Sequence, residues 1–181
     1  MTARVFEASR LDVAAFAKAG ESLHGRWPLR GMERLAASAH PEAAPADDAM
    51  VDWQARGELR VVRAAPAQVW LHLECRAPID LVCQRCLQPL PVLVEGRRSF
   101  LFVPGEAQAA ELDADSEHDV LALTRALDLR ELVEDELLLS LPLVPRHETC
   151  PLPLPQAAGD ELAADETPHP FAALAALKAD K

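Results

Sequence analysis

The feature that most constrains this chain is the turn Cys83-Gln84-Arg85-Cys86-Leu87-Gln88-Pro89, with a further proline, Pro91, just behind it. Two thiols at C-x2-C spacing reach one tetrahedral metal when a tight turn brings both sulfurs to the same side. Redox dithiols share the spacing, but their first cysteine opens a helix whose N-terminus lowers its pKa. Pro89 and Pro91 remove backbone donors where such a helix would run. The turn instead lies between two apolar, strand-like runs, residues 71–82 and 90–103. It reads as a knuckle at the edge of a sheet.

Strand signals begin at Val51. In residues 69–75 the side chains of Val69, Leu71, Leu73 and Cys75 fall on one face, and those of Trp70, His72 and Glu74 on the other. Period two over this length marks a strand. Residues 58–63 and 90–103 behave similarly, with Gly96 a candidate bulge. Short strands joined by turns predict an antiparallel sheet.

Upstream, residues 10–19 read as a short helix ended by Gly20, with Val13, Phe16 and Ala17 at helical spacing. Trp27-Pro28-Leu29 reads as an extended connector, residues 32–39 as one or two helical turns, and residues 43–48 as a small, acidic loop. Downstream, Asp128 can cap a helix over residues 129–140, with Glu131 at its third position. Leu129, Leu132, Val133, Leu137 and Leu139 share one side of that helix, and Glu136 falls near the centre of the same side. A carboxylate in an apolar stripe needs a partner. Arg97 or Arg98 could supply it as a structural ion pair; contact with a ligand is the alternative. Glu131 and Asp135 are expected to point away from the stripe.

The expected fold class is α+β: an antiparallel sheet with a C-x2-C knuckle, packed against one acidic amphipathic helix. Residues 1–50 are expected to be peripheral and 51–150 to form the core domain. Residues 151–181 read as an extended, Pro-rich tail ending in a short helix, with Phe171, Leu174 and Leu177 on one face.

Charge separates along the chain. Residues 54–103 hold seven arginines against four carboxylates, whereas residues 104–140 hold eleven carboxylates against two arginines. Residues 104–119 read as a loop, either simply solvated or a lure for a basic partner. The overall net charge of -11 argues against a nonspecific grip on nucleic acid, which relies on cations displacing counterions. With 4% aromatic residues and no Tyr, base stacking is a poor mechanism as well. No signal-peptide core or membrane-length apolar run is present in the sequence, so a soluble, cytoplasmic protein is expected.

A second pair, His147-x2-Cys150, follows an extended stretch set by Pro142 and Pro145. Together with Cys83 and Cys86 it offers three thiolates and one imidazole, the ligand set of a structural zinc site. Cys75 is a rival fourth ligand, and reduced thiols packing a turn are the alternative to metal. No carboxylate or histidine stands beside Cys83 to serve a catalytic metal, and no nucleophile–base pair or phosphate loop is evident. The sequence therefore reads as non-enzymatic.

Three blocks now stand in order: the Cys83–Pro89 turn; Asp128-Leu-Arg-Glu-Leu-Val-Glu-Asp-Glu-Leu-Leu-Leu-Ser-Leu-Pro142 with Val144-Pro145-x-His147-x-x-Cys150; and Pro170-Phe171-x-x-Leu174-x-x-Leu177-Lys178. Over residues 50–178 the chain resembles the bacterial YceD family, the large ribosomal RNA subunit accumulation proteins, which have plastid relatives. The resemblance implies a role in synthesis, processing or stability of 23S ribosomal RNA, in or near ribosome assembly, without a known catalytic activity. Its characteristic positions fall on Cys83, Cys86, Glu134, Asp135, Glu136, Pro142 and Pro145. The chain departs from the family pattern at His169, where members carry Asn, and in its alanine-rich end.

With the charge distribution, the expected partner is a basic ribosomal protein or a large-subunit assembly intermediate. Glu131, Glu134, Asp135 and Glu136 would face it, and 23S rRNA would be supported indirectly or weakly. The alternative is direct rRNA binding by the arginine-bearing sheet, through Arg56, Arg60, Arg63, Arg76, Arg85, Arg97 and Arg98. No membrane and no small-molecule substrate are implied.

Overall fold

The structure is a computed structural model, and it describes residues 5–151 apart from 44, 46, 64 and 65. The chain divides into two units, Met1–Cys150 and Pro151–Lys181. The expected helix at residues 170–178 lies outside the described residues.

The first unit is an α+β layer structure. Its sheet has five strands in sequential order: β1 (Ser22–Pro28), β2 (Met50–Arg60), β3 (Gln68–Val82), β4 (Pro89–Val103) and β5 (Asp119–Ala122). The first four are antiparallel neighbours, whereas β5 runs parallel to β4. The sheet is therefore mixed, a correction to the all-antiparallel expectation.

Alternation along β3 follows the period-two reading. Leu71, Leu73, Cys75, Ala77, Ile79 and Leu81 are buried against the helices, while Glu74, Arg76 and Pro78 face outward. On this inner face lie α1 (Val13–Ala19) and α4 (Leu129–Leu139), with α2 (Glu33–Ala37) beside α4. α1 starts where Asp12 accepts the Ala15 N–H at 3.0 Å and stops at Gly20, whose φ of 67° suits glycine. α4 starts where Asp128 accepts the amides of Arg130 and Glu131. Leu129, Val133, Glu136 and Leu137 form its buried stripe. Leu139, expected in that stripe, is exposed because it lies at the stripe's edge on the helical wheel.

The N-terminal fifty residues are not peripheral. Leu11, Val13, Phe16, Leu29, Met32 and Leu35 are fully buried in the main core. β1 extends the sheet, and Trp27 stacks on Trp53 with ring centroids 4.3 Å apart. Leu11 also bridges to Leu127, so the chain's start brackets the entry to α4. Burial of several large side chains, each contributing about 1.5–3 kcal/mol, makes this segment integral to the fold.

Residues 104–119 differ from expectation too. They contain α3 (Glu106–Asp113), which rests only Ala109 on the sheet while its carboxylates stay exposed. Gly96 is no bulge, for it pairs in unbroken register with Cys75. Its lack of a side chain has another use. A Cβ there would lie 2.6 Å from Glu136 Cγ and 3.0 Å from Cys75 Sγ, so glycine opens the seat that Glu136 occupies.

Candidate metal centre

The β3–β4 connection is the knuckle. The Cys83 amide donates to the Gln88 carbonyl at 3.0 Å and the Leu87 amide to the Cys83 carbonyl at 2.9 Å. Leu87 has φ of 59°, the left-handed conformation that lets so short a turn close, and its carbonyl contacts His40 Nε2 at 2.9 Å. Behind α4 the chain bends at Leu141, Leu143 and Val144 rather than running extended as expected, and the Pro145 carbonyl accepts the Gln84 amide at 2.8 Å. This backbone bond fastens the second pair onto the first across about sixty residues.

Cys83 Sγ, Cys86 Sγ, Cys150 Sγ and a His147 ring nitrogen all lie within 4.8 Å of one another. His147 Nδ1 is 3.4 Å from Cys86 Sγ. Tetrahedral zinc with bonds of about 2.3 Å sets sulfurs roughly 3.8 Å apart, so a small contraction would close the shell. The four residues are positioned to bind a metal. Cys75, the rival ligand, is buried on the inner face of β3 and directs its thiol to the Gly96 carbonyl. Burial, and then the nearby Glu136 carboxylate, push its pKa up to about 12, which keeps it a neutral thiol.

Electrostatics favour thiolate at Cys83. Burial raises the Cys83 pKa, but the amides of Cys86, His147 and Arg85 aim at its sulfur and together bring it down to about 5. Cys86 moves the other way, raised by burial and by the neighbouring Cys150 and Cys83 sulfurs. Like-charged sulfurs without a cation between them oppose each other's ionisation, and a divalent ion would relieve that. Arg85 supplies a further cation. Its Nε donates to Cys150 Sγ at 3.0 Å, and its Nη2 donates to the carbonyls of His147 at 2.9 Å and Glu148 at 3.2 Å. One arginine inside the C-x2-C turn thus grips the facing pair. Sequence reasoning placed Arg85 with the sheet cations; the x2 spacer position was the signal for its role here.

The helix carboxylates part company. Glu131 is exposed with no ion pair among the described residues. Glu134 accepts the backbone amides of Arg34 and Leu35 at 2.7 and 3.0 Å, covering the start of α2, and also meets the Arg34 side chain. Asp135 takes the other arm of Arg34 at 2.5 Å. Glu136 is buried, with Arg98 Nε donating to it at 2.7 Å. Of the four expected to face a partner, three are therefore held within the protein, and Glu136 is out of a partner's reach.

Most of the expected arginine surface is likewise engaged, Arg63 past the end of β2 being exposed with no ion pair among the described residues. Arg76 pairs with Asp52, Arg97 with Glu74, and Arg56 and Arg60 with Glu58. Arg98 lies at the helix junction, bonded to Glu136 and Asp119. A nucleophile–base contact that sequence reasoning missed is also present. His72 lies between Ser99 Oγ and Glu58 Oε2, at 2.8 Å from each, because strand register pairs His72 with Ser99 and sets Glu58, opposite Trp70, on its diagonal. Flanked by paired strands, it acts as a cross-strand clasp.

The family model for the large ribosomal RNA subunit accumulation protein YceD matches residues 71–178, more than half of the chain. The chain belongs to the YceD family. The match begins in β3 and takes in the knuckle, α4 and the second ligand pair. A similar curated protein, the large ribosomal RNA subunit accumulation protein YceD of Haemophilus influenzae, is 38% identical over 106 residues. That alignment covers 55% of this chain and 60% of the Haemophilus protein, so the chain spans about three-fifths of this relative's length. No solved structure matches the chain. Among the described residues no helix is long and apolar enough to cross a membrane.

Proposed function

We propose that this YceD-family protein is a non-enzymatic ribosome biogenesis factor in the cytoplasm. In this reading it supports the synthesis, processing or stability of 23S rRNA by holding a basic ribosomal protein or large-subunit assembly intermediate. The observation that carries the reading is an asymmetry in how charge is used. Glu106, Glu111, Asp115 and Glu117 on and after α3, with Glu131 on α4, are exposed and have no ion pair among the described residues. Arg56, Arg60, Arg76 and Arg97 of the outer sheet each lie within 4 Å of a carboxylate, while Arg63 has no ion pair among the described residues. Unspent negative charge suits a cationic protein surface, whereas phosphate capture needs unspent positive charge.

Within the same reading, Cys83, Cys86, His147 and Cys150 hold a structural zinc ion that fastens residues 145–150 to the knuckle. Its role is architectural: no donor set for an activated water accompanies it. The test is affinity capture of the full chain, with identification of both protein and RNA at two salt concentrations. A basic large-subunit protein retained at low salt and lost at high salt is the expected result. Tight binding of 23S fragments by the purified protein at physiological salt would instead favour direct rRNA recognition by the sheet.

A further inference from the structure

The outer face of the β3–β4 hairpin carries a contiguous apolar shelf. Strand register sets Pro78 beside Leu93, Asp80 beside Pro91 and Val82 beside Pro89, with Met50 of β2 lining the same hollow. Leu93 is 57% exposed, and Leu87, at the tip of the knuckle, is 65% exposed. Solvent-facing positions of a sheet are normally polar, and clustered apolar exposure marks an interaction surface. The hollow has a volume of about 640 Å³, room for a large side chain and its flanking backbone.

Its rim is acidic. Asp48 and Asp80 line it with no ion pair among the described residues, whereas Arg26 and Arg76 are both committed to Asp52. The adjoining strand edge is open as well. β5 covers only Phe100–Val103 of β4, so residues 89–99 have β3 on one side and no backbone partner on the other among the described residues. An open edge beside an apolar shelf is the setting in which extended segments add to a sheet. Pro89 and Pro91 interrupt the ladder that a second copy of β4 would need along its whole length, which disfavours self-pairing.

We infer that this shelf docks an extended, basic protein segment whose apolar side chain enters the hollow lined by Met50, Pro78 and Leu93 while flanking Lys or Arg reach Asp48 and Asp80. The inference deepens the proposed function and rests on its reading of a basic protein partner. It names a second contact, distinct from the exposed carboxylates of α3.

The test uses the full chain and two short synthetic peptides, one alternating valine with lysine and one alternating valine with glutamate. Amide shifts on titration should fall on Leu87, Asp80 and Val92–Glu95 for the lysine peptide and be absent for the glutamate peptide. Leu93→Asp should weaken binding by about tenfold or more, the effect of denying one large apolar side chain its burial, and Asp80→Asn should weaken it less. Both variants alter exposed or half-exposed positions, and an unchanged circular dichroism spectrum checks their folding. Equal binding of both peptides, shifts confined to α3, or a concentration-dependent dimer that Leu93→Asp abolishes would each overturn the inference. Loss of peptide binding on neutralising α3 alone would count against the shelf while leaving the proposed function standing.

Discussion

Arg98 Nε donates to Glu136 Oε2 at 2.7 Å, and this bond joins β4 to α4 at the centre of the helix's buried stripe. Glu136 is 3% exposed and sits where Gly96 leaves room. Burial opposes the Arg98 charge, but Glu136 and Asp119 hold its pKa above the ordinary value. Removing one partner of a buried pair costs about 3–5 kcal/mol, and Arg98's partial exposure argues for the lower end. Glu136→Gln should therefore cost about 3 kcal/mol in urea unfolding, while Asp135→Asn, at a half-exposed pair with Arg34, should cost under about 1 kcal/mol. Equal small effects would mean that the junction does not depend on the pair.

Gly96→Ala should destabilise the fold by about 1–3 kcal/mol, as overpacking does. The clash is specific, since the new Cβ would lie 2.6 Å from Glu136 Cγ. Combined with Glu136→Ala, the Gly96 change should cost measurably less than it does alone, because the crowding atom is gone. Additive costs in a double-mutant cycle would place the strain elsewhere.

Purified protein should carry about one zinc per chain, and Cys86→Ser should lose it together with stability. Cys75→Ser should keep it. After chelation, alkylation should reach the half-buried Cys150 before the buried Cys83, whereas Cys75 stays unmodified while the fold holds, since a buried thiol with pKa about 12 is protonated at neutral pH. Arg85→Met should lower zinc affinity without abolishing it, through loss of the contacts to Cys150 and to the His147 and Glu148 carbonyls.

The hairpin and α4 were legible because their periodicities are strong and their ends are marked, by the C-x2-C turn and by Asp128. The convergence of His147 and Cys150 on the knuckle was legible only as ligand chemistry; the Gln84–Pro145 backbone bond that brings it about is long-range and leaves no local trace. β1 was missed because Gly25 and Pro28 weaken its strand signal. Gly25 is needed there, since a Cβ would lie 2.9 Å from the Trp53 ring. α3 was missed because it buries only Ala109 and so lacks an apolar stripe. The fates of Glu134 and Asp135 depended on Arg34, a hundred residues away, which no periodicity reveals.

The complex with a basic partner should weaken steeply between low and physiological salt, because exposed charges are screened within about 8 Å there. Neutralising Glu106, Glu111, Asp115, Glu117 and Glu131 together should remove that salt dependence with little change in unfolding midpoint. A salt-independent complex would point to apolar docking alone.

The most direct measurement of the central claim is the ratio of 23S to 16S rRNA in cells that rely on a variant of this protein. The account predicts a depressed ratio, or accumulated 23S precursors, when the five exposed carboxylates are neutralised. It predicts a near-normal ratio when Arg56, Arg60, Arg76 and Arg97 are neutralised, provided both variants are folded and equally abundant. The reverse pattern, with the arginine changes removing function and the carboxylate changes tolerated, would contradict it.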